Sequence, residues 1–152
     1  MHIRAAHPGE HRLLSQIAYQ AKAHWGYGTV ELAAWHHDLT VTRESVLDRT
    51  TLVAEVDGAV VGFVRQHLEP SHAVLDDLWV LPAFMRRGVG RALLAQALQR
   101  ARAGGVHEML IDADPHAEAF YVTHGAVRVG QVSAPIEGQP QRVRPQLVLA
   151  VP

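Results

Sequence analysis

The chain has no cysteine. That absence excludes a disulfide scaffold, a thiol nucleophile and a cysteine-ligated metal, and it closes the acyl-cysteine route to group transfer. Nor is there an excess of either charge. The 14 Lys and Arg residues nearly balance the 15 Asp and Glu, leaving a formal net charge of −1. No general field therefore draws the chain to nucleic acid or to an acidic lipid surface. No apolar run is long enough to span a bilayer, and no signal peptide is expected before the first strand. Cytoplasmic placement, with no nucleic-acid and no membrane partner, is the expectation. What is present is 152 residues, 48% of them hydrophobic, which suits one domain over 1–152 with a sizeable core rather than a disordered chain.

The most informative stretch runs from Leu78 to Leu94, Leu-Trp-Val-Leu-Pro-Ala-Phe-Met-Arg-Arg-Gly-Val-Gly-Arg-Ala-Leu-Leu. It reads as an apolar strand, a turn with two arginines and two close glycines, then an amphipathic helix. The first amides of a helix have no intrahelical acceptor, and the helix dipole adds positive potential at the same end. Gly88 and Gly90 let an anion approach that backbone, Val89 lies between them, and Arg86, Arg87 and Arg91 add charge around the opening. The stretch points to a phosphate-bearing cofactor. It is no P-loop, because no lysine or hydroxyl follows the glycines. It is no Rossmann fingerprint either, because Leu93 stands where the third glycine belongs.

These residues resemble the GNAT superfamily of acyl-CoA-dependent N-acyltransferases. The family pattern at this turn is [Q/R]-x-x-G-x-[G/A], and its backbone amides bind the pyrophosphate of coenzyme A. Gly88 and Gly90 match, while Met85 stands at the leading position, so Arg86 and Arg87 are the candidates to supply charge there. A second block, Asp114 to Ala126, resembles the family segment N-x-x-A-x-x-F-Y-x-x-x-G-F through Ala117, Phe120, Tyr121 and Gly125, with Asp114 for the usual Asn and Ala126 for the usual Phe. Asp114 suits a helix N-cap and Pro115 the first turn. The resemblance is firmest over about 52–130. The early Ala23–Tyr27 and the later Gly130–Gly138 look like one subgroup of the family, a subgroup that comes with no assigned substrate.

Hydrophobic spacing and Gly/Pro punctuation predict strands at 2–6, 51–56, 59–68, 74–81, 107–112, 126–133 and 143–151. They predict helices at about 8–24, 29–39, 42–48, 88–103 and 115–124, with a hairpin turn at Asp57-Gly58. The fold class is α/β, in the mixed α+β sense: one twisted mixed sheet of six to seven strands with helices on both faces. The resemblance implies more. The strand before the cofactor turn and the next parallel strand should splay apart, so that backbone groups of Leu78 and Val80 hold the pantetheine arm and polarise the acyl carbonyl. It implies acetyl-CoA as co-substrate, no metal, and a small-molecule or peptide amine as acceptor, and it allows a homodimer. Tyr121 is the expected acid at the departing sulfur.

An alkylammonium must lose a proton before it attacks a thioester. Asp76 and Asp77 interrupt an otherwise apolar strand, and simple alternation sets Asp76 on the face of Leu78 and Val80 and Asp77 on the other. The subgroup usually carries an acid at the position of Asp76, so Asp76 is the expected base, directly or through a water, with ordering of the ammonium or capping of a bulge as its alternative role. His24, Trp25 and Tyr27 are the expected acceptor wall. Among the 11 histidines, His7-Pro8-Gly9-Glu10-His11 has the H-x-x-E-H spacing of a zinc site, but Pro8 and Gly9 oppose the continuous helix that motif needs. His36 and His37 are adjacent and do not share a helix face. Two functions of different class remain open on the sequence: an N-acetyltransferase working by direct attack in a ternary complex, and a non-catalytic acyl-CoA-binding or sensing module.

Overall fold

The computed structural model describes all residues, Met1–Pro152. The chain forms two compact units, both of which draw on the fourth strand and the fifth helix. One unit comprises Met1–His67 with Asp76–Ala97, the other Leu68–Leu75 with Leu98–Pro152.

In the first unit, β1 (His2–Ala5) pairs antiparallel with β2 (Thr50–Val56), and β2 with β3 (Ala59–Leu68). The β2–β3 hairpin closes on Asp57 and Gly58, both at positive φ (51° and 80°), the combination whose twist suits a two-residue hairpin. Between β1 and β2 come α1 (His11–Ala23), α2 (Thr29–Ala34), α3 (His36–Leu39) and α4 (Arg43–Asp48). Leu14, Ile17, Ala18 and Ala21 of α1 are buried at helical spacing. Thr42 and Ser45 cap α4 reciprocally: Thr42 Oγ1 accepts from Ser45 N (3.1 Å), and Ser45 Oγ accepts from Thr42 N (3.0 Å).

The single helix expected over 29–39 is two helices. Trp35 leaves helical geometry at φ −91°, ψ 5°, and its ring is engaged by Tyr27 and Lys22. A tertiary contact there overrides local helical preference.

The strand β4 (Ala73–Val80) leads through a 3-10 turn, Pro82–Phe84, to α5 (Val89–Ala103). Within the first unit α5 packs on the even-numbered face of β3: Gln66 Nε2 donates to Ala97 O (2.8 Å), and a Cβ added at Gly62 would lie 3.3 Å from Leu93. The odd-numbered face carries α4, where Arg65 Nη1 donates to Ser45 Oγ (2.7 Å).

In the second unit, Ala73–Leu75 of β4 pairs parallel with β5 (Glu108–Asp112). That strand pairs antiparallel with β7 (Val143–Ala150), and β7 in turn with β6 (Val127–Ser133). The strand order is β1-β2-β3-β4-β5-β7-β6, a seven-stranded mixed sheet. Before β6 lies α6 (Glu118–Thr123), entered through a 3-10 turn whose Asp114 side chain accepts from His116 N (2.8 Å).

Candidate functional site

The turn before α5 has the backbone of an anion cradle. Met85 is extended, Arg86 sits at φ 61° and Gly88 at φ 83°. Two left-handed residues flank Arg87. The helical ladder begins only with Ala92 N donating to Gly88 O (3.0 Å), so the amides of Val89, Gly90 and Arg91 precede it. Arg86, Arg87, Gly88 and Arg91 are exposed, and nothing lies within 4 Å of where a Cβ on Gly88 would be. The Arg87 guanidinium rests 5.2 Å from the Phe84 ring centroid.

The strand leading into this turn has backbone groups to spare. Leu81 N donates to Val61 O (2.8 Å), so Leu81, and Trp79 two residues before it, turn their peptide groups toward β3. Leu78 and Val80 then turn theirs away from β3. Pairing with β5 covers only Ala73–Leu75, so β4 runs on through Asp76–Val80 without that partner.

The two aspartates break the expected alternation. At the hairpin end Glu69 N donates to His72 O (2.8 Å), which opposes residues 69 and 72, while at the other end 61 opposes 81. The two registers differ by one, so β4 holds one extra residue, a β-bulge. Its place is shown by the side chains. Arg65 and His67 lie on one face of β3, and they hold Asp77 and Asp76 respectively. Both carboxylates therefore share the α4 face, and the assignment of Asp76 and Asp77 to opposite faces is corrected.

Their surroundings differ. Asp77 is buried; its Oδ2 accepts from Arg65 Nε (2.6 Å) and its Oδ1 from Trp79 Nε1 (3.1 Å). Burial pushes its carboxyl up from the ordinary range, against the pull of Arg65 and Trp79. Asp76 is half-buried. His67 Nδ1 lies 2.8 and 3.0 Å from its two oxygens, and Arg49 Nε lies 3.1 Å from Oδ2.

A ring cluster lies in the same unit. Lys22 Nζ stands 4.3 Å from the Trp35 centroid, 5.0 Å from Tyr27 and 6.0 Å from Trp79, and Tyr27 meets Trp35 edge-on at 4.7 Å. The residues of the expected acceptor wall differ in exposure. Tyr27 is buried in this cluster, while Trp25 is exposed and pairs edge-on with His24 (4.9 Å). Sequence reasoning missed Lys22, Trp35, Arg49, Arg65 and His67. The isolated charges opposite Asp76 and Asp77 on the neighbouring apolar strand were the one available signal for Arg65 and His67.

In the second unit Tyr121 is buried on α6, edge-on to Phe120 (5.2 Å), and its carbonyl accepts from Ala126 N (3.0 Å) beside Gly125 at φ 100°. The histidine–glutamate motif at 7–11 has another task. Glu10 chelates Arg4 (2.8 and 2.9 Å) and accepts from His7 N (2.7 Å), closing the turn that precedes α1.

Comparison with known proteins gives a consistent family. The PaiA N-acetyltransferase of Thermoplasma acidophilum, solved in complex with coenzyme A, superposes with a TM-score of 0.79 over 98% of both chains at 16% identity. A GCN5-related N-acetyltransferase from Rhodopseudomonas palustris gives 0.80 over 98% of this chain and 94% of that one, at 22% identity. These likenesses establish the fold. The L-2,4-diaminobutyric acid acetyltransferase of Nocardia farcinica is 37% identical over 81 residues, a match covering 51% of this chain and only 42% of that protein. The family model described as "Acetyltransferase (GNAT) family" matches residues 13–126, and the chain belongs to that family.

Proposed function

We propose that the protein is an N-acetyltransferase that moves the acetyl group of acetyl-CoA to a primary amine by direct attack in a ternary complex. The observation that carries this reading is the turn Arg86–Arg91, where two left-handed residues and the open end of α5 present unpaired amides beside three arginines. It suits the pyrophosphate of coenzyme A, the ligand of the Thermoplasma neighbour. The pantetheine arm would follow the side of β4 where Leu78 and Val80 turn their peptide groups away from β3, and an amide there would stabilise the oxyanion of the tetrahedral intermediate. Tyr121 would protonate the leaving thiolate. Asp76 serves the acceptor amine, and His24, Trp25 and Tyr27 form part of the wall around it. The amine carries a second polar group in the Nocardia relative, whose acceptor is a diamino acid.

Thiol release from acetyl-CoA in the presence of an amine panel tests the activity. Release that depends on an amine supports it; binding of acetyl-CoA without release under any amine supports a sensing module. The cofactor site has its own test. Asn and Asp have the same shape and both tolerate positive φ, so Gly88→Asn and Gly88→Asp differ in charge alone. Calorimetry should show Gly88→Asp binding acetyl-CoA at least about tenfold more weakly than Gly88→Asn, through repulsion of the phosphates. Equal affinities would remove the pyrophosphate from this turn.

A further inference from the structure

We propose that the groove bounded by α1, α3 and α4 is a second ligand site, which takes a small organic anion of the carboxylate or phosphate class and is coupled to β4 through Ser45. The groove measures about 620 Å³, within the range of small-molecule sites. The first turns of α1, the segment from α3 onward and the start of α4 line it. The ring cluster lies at the other end of α1: His11 and Lys22 stand about 16 Å apart along its axis, at 1.5 Å per residue. The groove is thus separate from the wall assigned to the acceptor.

Its hydroxyls are spent on the walls themselves. Ser15 Oγ donates to His11 O (2.9 Å) and accepts from Val41 N (2.8 Å), so it ties α1 to the segment before α4. Thr40 Oγ1 donates to His36 O (2.6 Å), and Thr42 Oγ1 accepts from Ser45 N (3.1 Å). The donors are not spent. The side chains of His11, Arg12, Gln16, His36 and Arg43 make no hydrogen bond or ion pair within the chain. Each guanidinium is a permanent cation with a fork of N–H donors, and an imidazole offers an N–H in either tautomer. Glu44 is the one carboxylate in the lining, and two guanidiniums outweigh it. Every other arginine of the first unit either holds a carboxylate, as Arg4, Arg49 and Arg65 do, or stands at the Arg86–Arg91 turn. The unpaired cations of this unit therefore collect in two places, and the groove is the second. A recess with fixed walls, surplus positive charge and unspent donors suits a carboxylate or a phosphate.

The groove is also joined to β4. Thr42 in its lining and Ser45 cap α4 reciprocally, and Ser45 Oγ accepts from Arg65 Nη1 (2.7 Å) as well. Arg65 Nε in turn donates to Asp77 Oδ2 (2.6 Å), and Trp79 Nε1 donates to Asp77 Oδ1 (3.1 Å). An anion drawn against Arg43 at the start of α4 bears first on Ser45, then on the guanidinium that holds Asp77. The chain of hydrogen bonds ends on the strand that carries Leu78 and Val80.

The test needs no turnover, so its outcome is separate from that of the acetyltransferase reading. Protein labelled with nitrogen-15, with and without acetyl-CoA, is titrated at constant ionic strength with citrate, with fructose 1,6-bisphosphate and with uncharged fructose, and amide shifts are followed by NMR. At least one of the two anions should shift the amides of 11–16 and 40–44 to saturation, and those of Arg65 and Asp77 with them, whether or not acetyl-CoA is present. Fructose should shift none. The anion that saturates at the lower concentration tells carboxylate from phosphate. The double variant Arg12→Gln, Arg43→Gln should weaken this binding at least about tenfold, through loss of charged hydrogen bonds, and leave acetyl-CoA affinity unchanged. No saturable shift at the groove with either anion, equal shifts with fructose, or wild-type binding by the double variant would overturn the site. Saturable shifts at the groove with Arg65 and Asp77 unmoved would overturn the coupling to β4.

Discussion

Tyr121 is the residue on which the proposed chemistry leans hardest, and it is buried on a helix of only six residues. In the proposed chemistry its phenol would act at the sulfur, late in the reaction, after the cofactor is already bound. Tyr121→Phe should therefore lower kcat by about 10²–10⁴-fold and leave acetyl-CoA affinity nearly unchanged, measured by stopped-flow turnover and calorimetry. Unaltered kcat with chemistry rate-limiting would give the proton to another group. The place of Tyr121 on a short helix was legible in the sequence because Pro115 and Gly125 punctuate its ends. Lys22 was not. Its ammonium meets Tyr27, Trp35 and Trp79, the last of them far along the chain from the other two, and nothing in the local composition announces that meeting.

Among the elements, β3 shows most directly how packing sets the site. Gly62 lies where α5 approaches the sheet, and a Cβ there would come 2.9 Å from Trp79 O and 3.3 Å from Val80 Cγ2. Backbone cannot retreat as a flexible side chain can. Gly62→Ala should cost about 1–3 kcal/mol of stability in denaturant unfolding and should weaken acetyl-CoA binding, because relief of the clash moves Trp79 and Val80. A native-like cofactor affinity in that variant would show that β4 tolerates the shift.

Element boundaries were read well wherever glycine, proline or a cap punctuated the chain. The hairpin at Asp57-Gly58 and the end of α5 at Gly104-Gly105 are examples, the latter with Gly105 at φ 85°. The break at Trp35 was not legible, because a long-range ring contact decides it. The bulge in β4 was open on the sequence only as one alternative for Asp76. One extra residue in a strand leaves no mark on composition, yet it reverses which face every earlier side chain occupies.

On the scale of the molecule, the near-balance of charge hides strong local pairing. Arg4 of β1 is shared between Glu10 and Glu55 of β2 (2.8 and 2.7 Å), tying the first strand to both the entrance of α1 and the neighbouring strand. The hydrogen bonds from Arg4 hold the Glu10 carboxyl down at about 2, against an ordinary value of 4.5. A carboxyl lowered on folding stabilises the fold fully above its ordinary value and loses that contribution as pH falls toward its folded value. Glu10→Gln should thus lower stability by about 1 kcal/mol at neutral pH, with the gap to wild type closing between pH 4.5 and about 2 in pH-dependent unfolding. A gap that persists at the acid end would assign the effect to packing.

The extra residue in β4 has a last consequence, for how such a molecule can change over generations. It acts as a phase boundary in the β3–β4 hairpin. Upstream, toward the Glu69–His72 turn, one parity of positions lies on the α4 face; downstream, toward the Arg86–Arg91 turn, the other does. Substitutions on the α4 face upstream of the bulge can therefore change its chemistry while Leu78, Val80 and the turn that follows keep their orientation, so that one half of the hairpin is free to vary and the other stays constant.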